Sequence, residues 1–240
     1  LDKGYNVFCE KPLAENYNDA KVMVDAALKS KKINMVNFTY RESSAYQKLV
    51  EIIKSGELGK PRHVSACYYQ SWLTSNKWGE WREDDKWLWR LSTKHGSNGA
   101  LGDTGVHIFD FAVNAVGDMK QIFADLKTYY DKGQKIKDYV LDANDGFNSL
   151  VRFENGAIGT ITNTRYATGH ANSLILEIFC SKGGLKVELD EERRKWSTLH
   201  ICQNENINKM SWETIDCPKI NSNYEKFIES IKTNKNLQPD

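Results

Sequence analysis

Residues 145–164 read Asp-Gly-Phe-Asn-Ser-Leu-Val-Arg-Phe-Glu-Asn-Gly-Ala-Ile-Gly-Thr-Ile-Thr-Asn-Thr, and they predict a β-hairpin. Two strand-like runs, 145–153 and 157–164, flank Glu154-Asn155-Gly156, a tripeptide that favours a tight turn. Further strand-like runs of similar length occupy residues 63–70, 121–130, 173–180 and 184–189. The predicted fold class is therefore α+β, with a C-terminal α/β-sandwich domain built on a large, mostly antiparallel sheet.

The start of the chain has a different pattern. A short apolar run at residues 5–9 precedes an amphipathic helix over 14–30 and a second β-like run at 33–38. This order predicts a β-α-β unit at the edge of a doubly wound sheet. A further helix, capped by Ser43 or Ser44, is expected to follow.

Composition and charge exclude several classes of function. The 240 residues include 33 basic and 32 acidic side chains, with a net charge of +1, so no nucleic-acid or membrane partner is expected. No apolar run approaches the roughly 20 residues that span a bilayer, and the first residues lack a signal-peptide pattern. Five widely spaced cysteines without a Cys-x-x-Cys pair favour reduced thiols. A cytoplasmic location is the expectation.

The segment 71–98 is long and polar and carries five tryptophans. Segments of this length in compact domains are usually functional or disordered, and the tryptophans argue against disorder. Most of the rings are expected to seal the segment against the sheet. One or two of them are candidates for lining a sugar-sized pocket, because aromatic faces pack against the C–H faces of a pyranose or cyclitol.

Asp103 and His107 lie four positions apart in Gly-Ala-Leu-Gly-Asp-Thr-Gly-Val-His, residues 99–107, at a predicted helix start. This spacing places a carboxylate and an imidazole on one helical face. The imidazole titrates near neutral pH, which suits it to proton transfer. The alternative is structural: Asp103 caps the helix and His107 is a half-buried residue with satisfied hydrogen bonds.

These motifs resemble those of the Gfo/Idh/MocA oxidoreductases, the family of glucose-fructose oxidoreductase and inositol dehydrogenase. Tyr-Asn-Val-Phe-Cys-Glu-Lys-Pro-Leu at 5–13 resembles the family's Glu-Lys-Pro segment, and residues 99–107 resemble its Asp-x-x-x-His segment. Residues 37–41, 56–59 and 152–157 also resemble family segments in the same order. The resemblance implies a Rossmann remnant in residues 1–40 and a substrate-binding and oligomerisation domain in residues 41–240.

The family resemblance implies an NAD(P)-dependent oxidoreductase of a sugar, a sugar derivative or a cyclitol. Hydride would move between the nicotinamide and a hydroxyl-bearing carbon, with His107 as the base. Asp103 would orient His107 or bind a substrate hydroxyl, and Lys11 would bind the reacting hydroxyl or join the proton relay. Glu10, Lys11 and Pro12 would lie near the cofactor. Expected substrate contacts are Tyr40, Arg41, Arg90, Tyr166 and His170. No metal site is expected, since Asp103 and His107 lack a clear third ligand.

One departure from the family concerns the cofactor. The chain contains no Gly-x-Gly-x-x-Gly turn, and the spacing of Gly99, Gly102 and Gly105 does not supply one. The resemblance therefore implies that about one domain of sequence precedes Leu1. An amphipathic helix is predicted over residues 223–231 with no closing element after it, so residues are also expected to follow Asp240. The 240 residues alone are expected to be inactive, and the choice between NAD and NADP stays open.

The expected partners are a small sugar or polyol and further copies of the chain. Alternating apolar positions between Leu150 and Ile178 are compatible with an open sheet face that forms a homodimer or homotetramer. The alternative from another functional class is a non-catalytic sugar-binding or scaffolding protein of the same fold.

Overall fold

An eight-stranded mixed sheet is the largest feature of the residues that the computed structural model describes, which are 1, 3–130, 133–190, 196–237 and 239. Contacts divide the chain into two units, residues 1–43 with 219–240 and residues 44–218. The helices and strands follow in the order β1 (Val7–Glu10), α1 (Tyr17–Ser30), β2 (Asn34–Asn37), α2 (Ser44–Ser55), β3 (Pro61–Gln70), α3 (Asp85–Leu88), α4 (Val106–Val116), β4 (Met119–Lys127), β5 (Lys135–Ile136), β6 (Tyr139–Val140), β7 (Gly146–Phe153), β8 (Ile158–Thr164), β9 (Asn172–Cys180), β10 (Gly183–Asp190), β11 (Thr198–Gln203), α5 (Glu205–Lys209), β12 (Glu213–Asp216) and α6 (Asn223–Thr233).

The sheet of the larger unit has the strand order β12-β11-β10-β9-β3-β8-β7-β4. Its neighbouring strands are antiparallel except for β3 and β8, which run parallel. The predicted hairpin is confirmed: β7 and β8 pair from Gly146 with Thr164 to Arg152 with Ile158. The predicted α+β class with a large, mostly antiparallel sheet is also confirmed.

The two faces of this sheet differ in burial. On β7, Phe147, Val151 and Phe153 are buried, whereas Leu150 on the opposite face is 60% exposed. The buried face packs against α2 and α4, where the rings of Tyr46 and Phe111 stack at 3.9 Å. The helices therefore cover one face of the sheet, and α4 carries its residues directly over the strands.

The smaller unit contains a parallel pair, with β1 and β2 in register from Val7 with Asn34 to Glu10 with Asn37. The crossover helix α1 confirms the predicted β-α-β order. In α6, Asn223 donates a 3.1 Å hydrogen bond from Nδ2 to Asn37 Oδ1.

Aromatic packing places α6 with the first strand. The ring of Phe8 lies 4.9 Å from Tyr224 and 5.2 Å from Phe227. Residues 219–240 thus group with residues 1–43, a division that differs from the sequence boundary after residue 40. Contacts between segments about 200 residues apart in the chain produce this grouping, and the local sequence pattern does not encode them.

Some features differ from the sequence expectation. Strands β11 and β12 extend the sheet beyond the predicted runs, and the segment 71–98 contains α3 together with the 3₁₀ turns Trp89–Leu91 and Thr93–His95. No helix within the described residues combines the length and apolar character needed to cross a bilayer.

Candidate active site

A sharp turn at Gly99 leads into the segment that carries the candidate catalytic residues. Gly99 has φ of +65°, and a Cβ atom there would lie 2.6 Å from the carbonyl oxygen of Asn144. Asn144 Oδ1 accepts a 2.9 Å hydrogen bond from the Leu101 N–H, and its Nδ2 donates a 3.1 Å bond to the Asn98 carbonyl. Glycine is required here because a side chain would be strained at this φ and would collide with Asn144.

A π-helical turn, Leu101–Gly105, follows and runs directly into α4. Its Thr104 hydroxyl accepts a 2.7 Å hydrogen bond from Asn163 Nδ2 on β8, which fixes the turn on the sheet. Single π-helical turns of this kind are frequent at functional sites. The turn carries Asp103, and the first turn of α4 carries His107.

Asp103 is held by two guanidinium groups. Its Oδ2 accepts a 2.9 Å hydrogen bond from Arg165 Nη2 and lies 3.6 Å from Arg90 Nε. The Asp103 side chain remains 28% exposed, so the carboxylate is accessible while its orientation is fixed. The structural alternative, in which Asp103 caps the helix, does not describe the structure, because α4 continues from the π-helical turn without a side-chain cap and the carboxylate bonds to Arg165.

Arg165 is the functional candidate that the sequence reasoning missed. It is fully buried at the end of β8, its guanidinium lies 5.1 Å from the Trp72 ring centre, and its Nη1 donates to the Arg90 carbonyl at 3.2 Å. Burial lowers the pKa of Arg165, and the charge of Asp103 acts in the opposite direction. One signal was available: Ile161 and Asn163 are buried, and the same alternation places Arg165 on that face.

His107 is 6% exposed on α4, and its ring centre lies 6.2 Å from that of Tyr68 on β3. The Tyr68 hydroxyl donates a 2.8 Å hydrogen bond to Asn172 Oδ1, which also accepts from Gln70 Nε2 at 2.8 Å. His107 is thus more deeply buried than the half-buried expectation, against a polar network that the sequence did not indicate.

Asp145 lies fully buried between β4 and β8, outside the predicted site. Its Oδ2 accepts a 2.7 Å hydrogen bond from the Tyr129 N–H, and its carbonyl accepts from the Arg165 N–H at 3.0 Å. Burial raises the pKa of Asp145 to about 6, and the charge of Arg165 opposes this effect. This carboxyl group is thus a second titratable group beside the guanidinium.

Arg90 and Tyr166, two further predicted substrate contacts of the larger unit, lie beside aromatic rings. The Arg90 guanidinium lies 4.6 Å from the Trp89 ring and 5.5 Å from the Trp87 ring. The Tyr166 ring packs edge-on against Tyr129 at 5.2 Å, and burial raises the pKa of Tyr166. Arg90 also contacts a second predicted site residue, Asp103, through the 3.6 Å ion pair between Arg90 Nε and Asp103 Oδ2.

His170 lies further along the chain, in the turn before β9. Its ring is 5.1 Å from that of Tyr69, and its Nδ1 lies 3.3 Å from the Ser173 hydroxyl. Ser173 in turn donates a 2.9 Å hydrogen bond to Asp190. His170 is therefore anchored where the start of β9 pairs with the end of β10.

The five tryptophans of residues 71–98 differ in burial, and Trp87 is half-buried against the cluster that contains Trp72 and Trp81. Trp72 and Trp81 are 3% and 2% exposed and pack with Leu88, Leu91 and Leu141. These two rings seal the segment, as expected. Trp78 and Trp89, by contrast, are 36% and 38% exposed.

The remaining predicted residues belong to the smaller unit. Glu10 ends β1, its Oε1 accepts a 2.7 Å hydrogen bond from Asn37 Nδ2, and the half-buried Lys11 follows with a cis peptide bond to Pro12. Nucleotide cofactors bind at the carboxyl ends of parallel strands. An exposed carboxylate and a half-buried ammonium group therefore follow each other at the end of this strand.

Tyr40 and Arg41 follow β2 in the 3₁₀ turn Thr39–Glu42 of the same unit. The Arg41 guanidinium lies 5.6 Å from the Phe38 ring. Both residues are half-buried, close in the chain to the end of the parallel pair. Among the described residues of the whole chain, no cluster of three His, Cys, Asp or Glu side chains suits a metal ion.

Two family models match the chain. The GFO/IDH/MocA C-terminal domain matches residues 46–186, more than half of the chain, and the oxidoreductase family NAD-binding Rossmann fold matches residues 1–38. The chain belongs to the Gfo/Idh/MocA family. The family expectation from the Glu-Lys-Pro and Asp-x-x-x-His segments is thereby confirmed.

Members of the Gfo/Idh/MocA family with curated names include two similar sequences. Levoglucosan dehydrogenase of Pseudarthrobacter phenanthrenivorans is 28% identical over 199 residues, covering 77% of this chain and 49% of that protein. Myo-inositol 2-dehydrogenase of Thermotoga maritima is 31% identical over 181 residues, covering 74% of this chain and 48% of that protein. The chain spans about half the length of these relatives.

Solved structures of this family have the same fold. Levoglucosan dehydrogenase in complex with NADH and levoglucosan superposes with a TM-score of 0.84 at 24% identity, covering all of this chain and 68% of that one. An oxidoreductase domain protein from Kribbella flavida gives a TM-score of 0.81 at 25% identity, covering all of this chain and 69% of that one.

Proposed function

We propose that the protein is an NAD(P)-dependent dehydrogenase of a sugar, a sugar derivative or a cyclitol. The observation that carries this proposal is the accessible carboxylate of Asp103, fixed by two guanidinium groups one helical turn before the buried imidazole of His107. A proton acceptor beside an oriented carboxylate is what oxidation of a secondary alcohol requires from the protein.

The cofactor supplies hydride exchange at C4 of its nicotinamide ring. Glu10, Lys11 and Pro12 contribute part of its binding edge at the end of β1, and this role is supported by the Rossmann match over residues 1–38. The Lys11 ammonium holds the reacting hydroxyl and joins the proton relay. The chain offers no basis for choosing between NAD and NADP.

His107 accepts the hydroxyl proton as hydride leaves the adjacent carbon. An imidazole gains and loses a proton near neutral pH, and its position on α4 beside Tyr68 restricts its movement. Asp103 accepts a hydrogen bond from the substrate or from the imidazolium. Its pairing with the guanidinium groups of Arg165 and Arg90 favours the ionised carboxylate, which can only accept.

Substrate binding in the larger unit involves polar and aromatic residues near Asp103. Trp89, exposed and stacked on the Arg90 guanidinium, offers a ring face for the C–H face of a sugar. The other proposed contacts are Tyr40, Arg41, Tyr166 and His170. Levoglucosan and inositol, named for the two relatives above, belong to the proposed substrate class.

We also propose that the uncovered sheet face forms a homodimer or homotetramer. Phe123, Leu150 and Ile158 are 51% to 71% exposed on neighbouring strands of this face and line a depression of about 610 Å³ with His63. Contiguous apolar patches of this kind commonly mark protein interfaces.

A cytoplasmic location is proposed too, since the cysteines are free thiols in the structure.

The test uses the protein expressed from its complete reading frame. It is incubated with levoglucosan, myo-inositol and a panel of sugars in the presence of NAD⁺ or NADP⁺, and the absorbance of the reduced nicotinamide is followed. The proposal expects turnover of at least one sugar or cyclitol. Binding of these compounds without turnover would support the non-catalytic sugar-binding alternative and overturn the proposal.

A further inference from the structure

The ion pair between Asp103 and Arg165 has one buried and one accessible end. The Arg165 side chain is 0% exposed, whereas the Asp103 side chain is 28% exposed. Arg165 Nη2 and Arg90 Nε both approach the same carboxylate oxygen, Oδ2. The arginines therefore set the orientation of a carboxylate that reaches solvent.

Several contacts fix the guanidinium itself. Its Nη1 donates to the Arg90 carbonyl at 3.2 Å, and its Cζ lies over the Trp72 ring, 5.1 Å from the ring centre. The backbone N–H of Arg165 donates to the Asp145 carbonyl at 3.0 Å. The arginine fork has few alternative positions under these constraints. Arg165 is therefore a rigid support for Asp103.

Fold stability alone is a poor explanation for this arrangement. Moving a guanidinium out of water is costly, and buried ion pairs are often no more stabilising than apolar residues of similar volume. Asp145, which is also fully buried, adds a desolvated carboxyl group beside Arg165. Buried groups behind an accessible carboxylate fix the orientation of that carboxylate, as a functional site requires.

We propose that Arg165 is a positioning residue of the dehydrogenase reaction. It holds the Asp103 carboxylate ionised and oriented, one helical turn before His107, so that Asp103 accepts hydrogen bonds during proton transfer and does not donate a proton. This role rests on the proposed function. Arg165 does not itself contact the substrate; it acts through Asp103.

A double-mutant cycle tests the assignment in the complete protein. Arg165→Met, Asp103→Asn and the double variant are compared with the wild type in kcat, KM and the pH profile of kcat/KM. Arg165→Met should lower kcat about 10²-fold, the cost of misplacing one catalytic group, with the affinity for NAD(H) unchanged. In the Asp103→Asn background the same substitution should cost less than about 3-fold.

The pH profile and a conservative variant separate positioning from a purely structural role. Arg165→Met should move the acid limb of kcat/KM to higher pH, and Arg165→Lys, which keeps the charge, should recover part of kcat. Arg62→Met, an exposed arginine of β3, is the matched control and should leave kcat and the profile unchanged. If Arg165→Met does not fold, the cycle is run with Arg165→Lys.

Two results would overturn the assignment: Arg165 variants with nearly wild-type kcat, or equal losses in the wild-type and Asp103→Asn backgrounds. Failure of the proposed function looks different, because the wild type would then turn over no panel compound. In that case the dissociation constants of the sugars are measured by calorimetry for the four proteins of the cycle. Coupled losses of affinity would support positioning of Asp103, and additive losses would contradict it.

Discussion

Asn144 Oδ1 accepts a 2.9 Å hydrogen bond from the N–H of Leu101, a residue 43 positions earlier in the chain. This bond joins the segment before β7 to the π-helical turn that carries Asp103. The candidate catalytic carboxylate is therefore positioned by two segments, the π-helical turn and the segment before β7. The segment before β7 contributes no predicted site residue.

Asn144→Ala should destabilise the protein and lower turnover together. The substitution leaves the half-buried Leu101 N–H and the exposed Asn98 carbonyl without this partner, and the loss of these hydrogen bonds should cost about 1 kcal/mol. Urea unfolding and steady-state kinetics measure the two effects. Asn148→Ala, at an exposed position of β7, is the control and should change neither stability nor turnover. An Asn144→Ala variant with wild-type stability and turnover would show that the hydrogen bonds of Asn144 are dispensable.

Stability should fall as pH rises through the titration of Asp145. Burial raises its pKa from 3.8 to about 6, so the folded state holds the proton more tightly than the unfolded state. The favourable contribution is complete below about pH 4 and is lost as pH rises through about 6. At about 1.4 kcal/mol per pH unit, ionisation costs at most about 3 kcal/mol.

Asp145→Asn should therefore flatten this pH dependence and gain stability relative to the wild type above pH 6. Its amide oxygen still accepts the hydrogen bond from the Tyr129 N–H. Chemical unfolding at pH 4.5 and pH 7.5 measures the difference. Identical pH dependence in both proteins would show that Asp145 does not titrate in this window.

Two tryptophans of the segment 71–98 should respond differently to substitution. Trp81→Ala removes a ring that is 2% exposed and should destabilise the fold by about 3–5 kcal/mol. Trp89→Ala removes a ring that is 38% exposed and should raise the KM for the sugar about 10-fold with little loss of stability. Thermal unfolding and kinetics on both variants decide, and a normal KM in Trp89→Ala would remove this ring from the site.

The oligomer should depend on the open sheet face. Phe123 and Leu150 are direct neighbours on β4 and β7 and are 71% and 60% exposed. Phe123→Lys places a charge in this patch and should convert a dimer or tetramer into smaller species in sedimentation experiments. Met210→Lys, at a 91% exposed position beside α5, is the control. A wild-type monomer at micromolar concentration would contradict the proposed interface.

Local sequence pattern predicted much of the fold. The turn Glu154-Asn155-Gly156 and the alternation on either side were sufficient for the β7–β8 hairpin, because its pairing is set by residues close in the chain. The parallel pairing of β3 with β8 was not predictable in this way. It joins Tyr69 to Thr164 across about 95 residues.

The candidate site was predicted in part for the same reason. Asp103 and His107 are four residues apart, so their placement on one helical face was predictable from local spacing, whereas their catalytic roles rest on the family resemblance. Arg165 and Asn144, which hold the segment, are distant in the chain and carry no motif. The roles of the predicted site residues remain predictions until the complete protein is assayed.

The most direct measurement is the turnover of His107→Ala in the complete protein, with the sugar that the wild type oxidises. The variant should lose at least about 10²-fold in kcat, the usual contribution of a general base, while its affinity for NAD(H) stays unchanged. His200→Ala, on β11 beside Thr214, is the matched control and should retain wild-type turnover. A His107→Ala enzyme with nearly wild-type kcat would contradict the proposed mechanism.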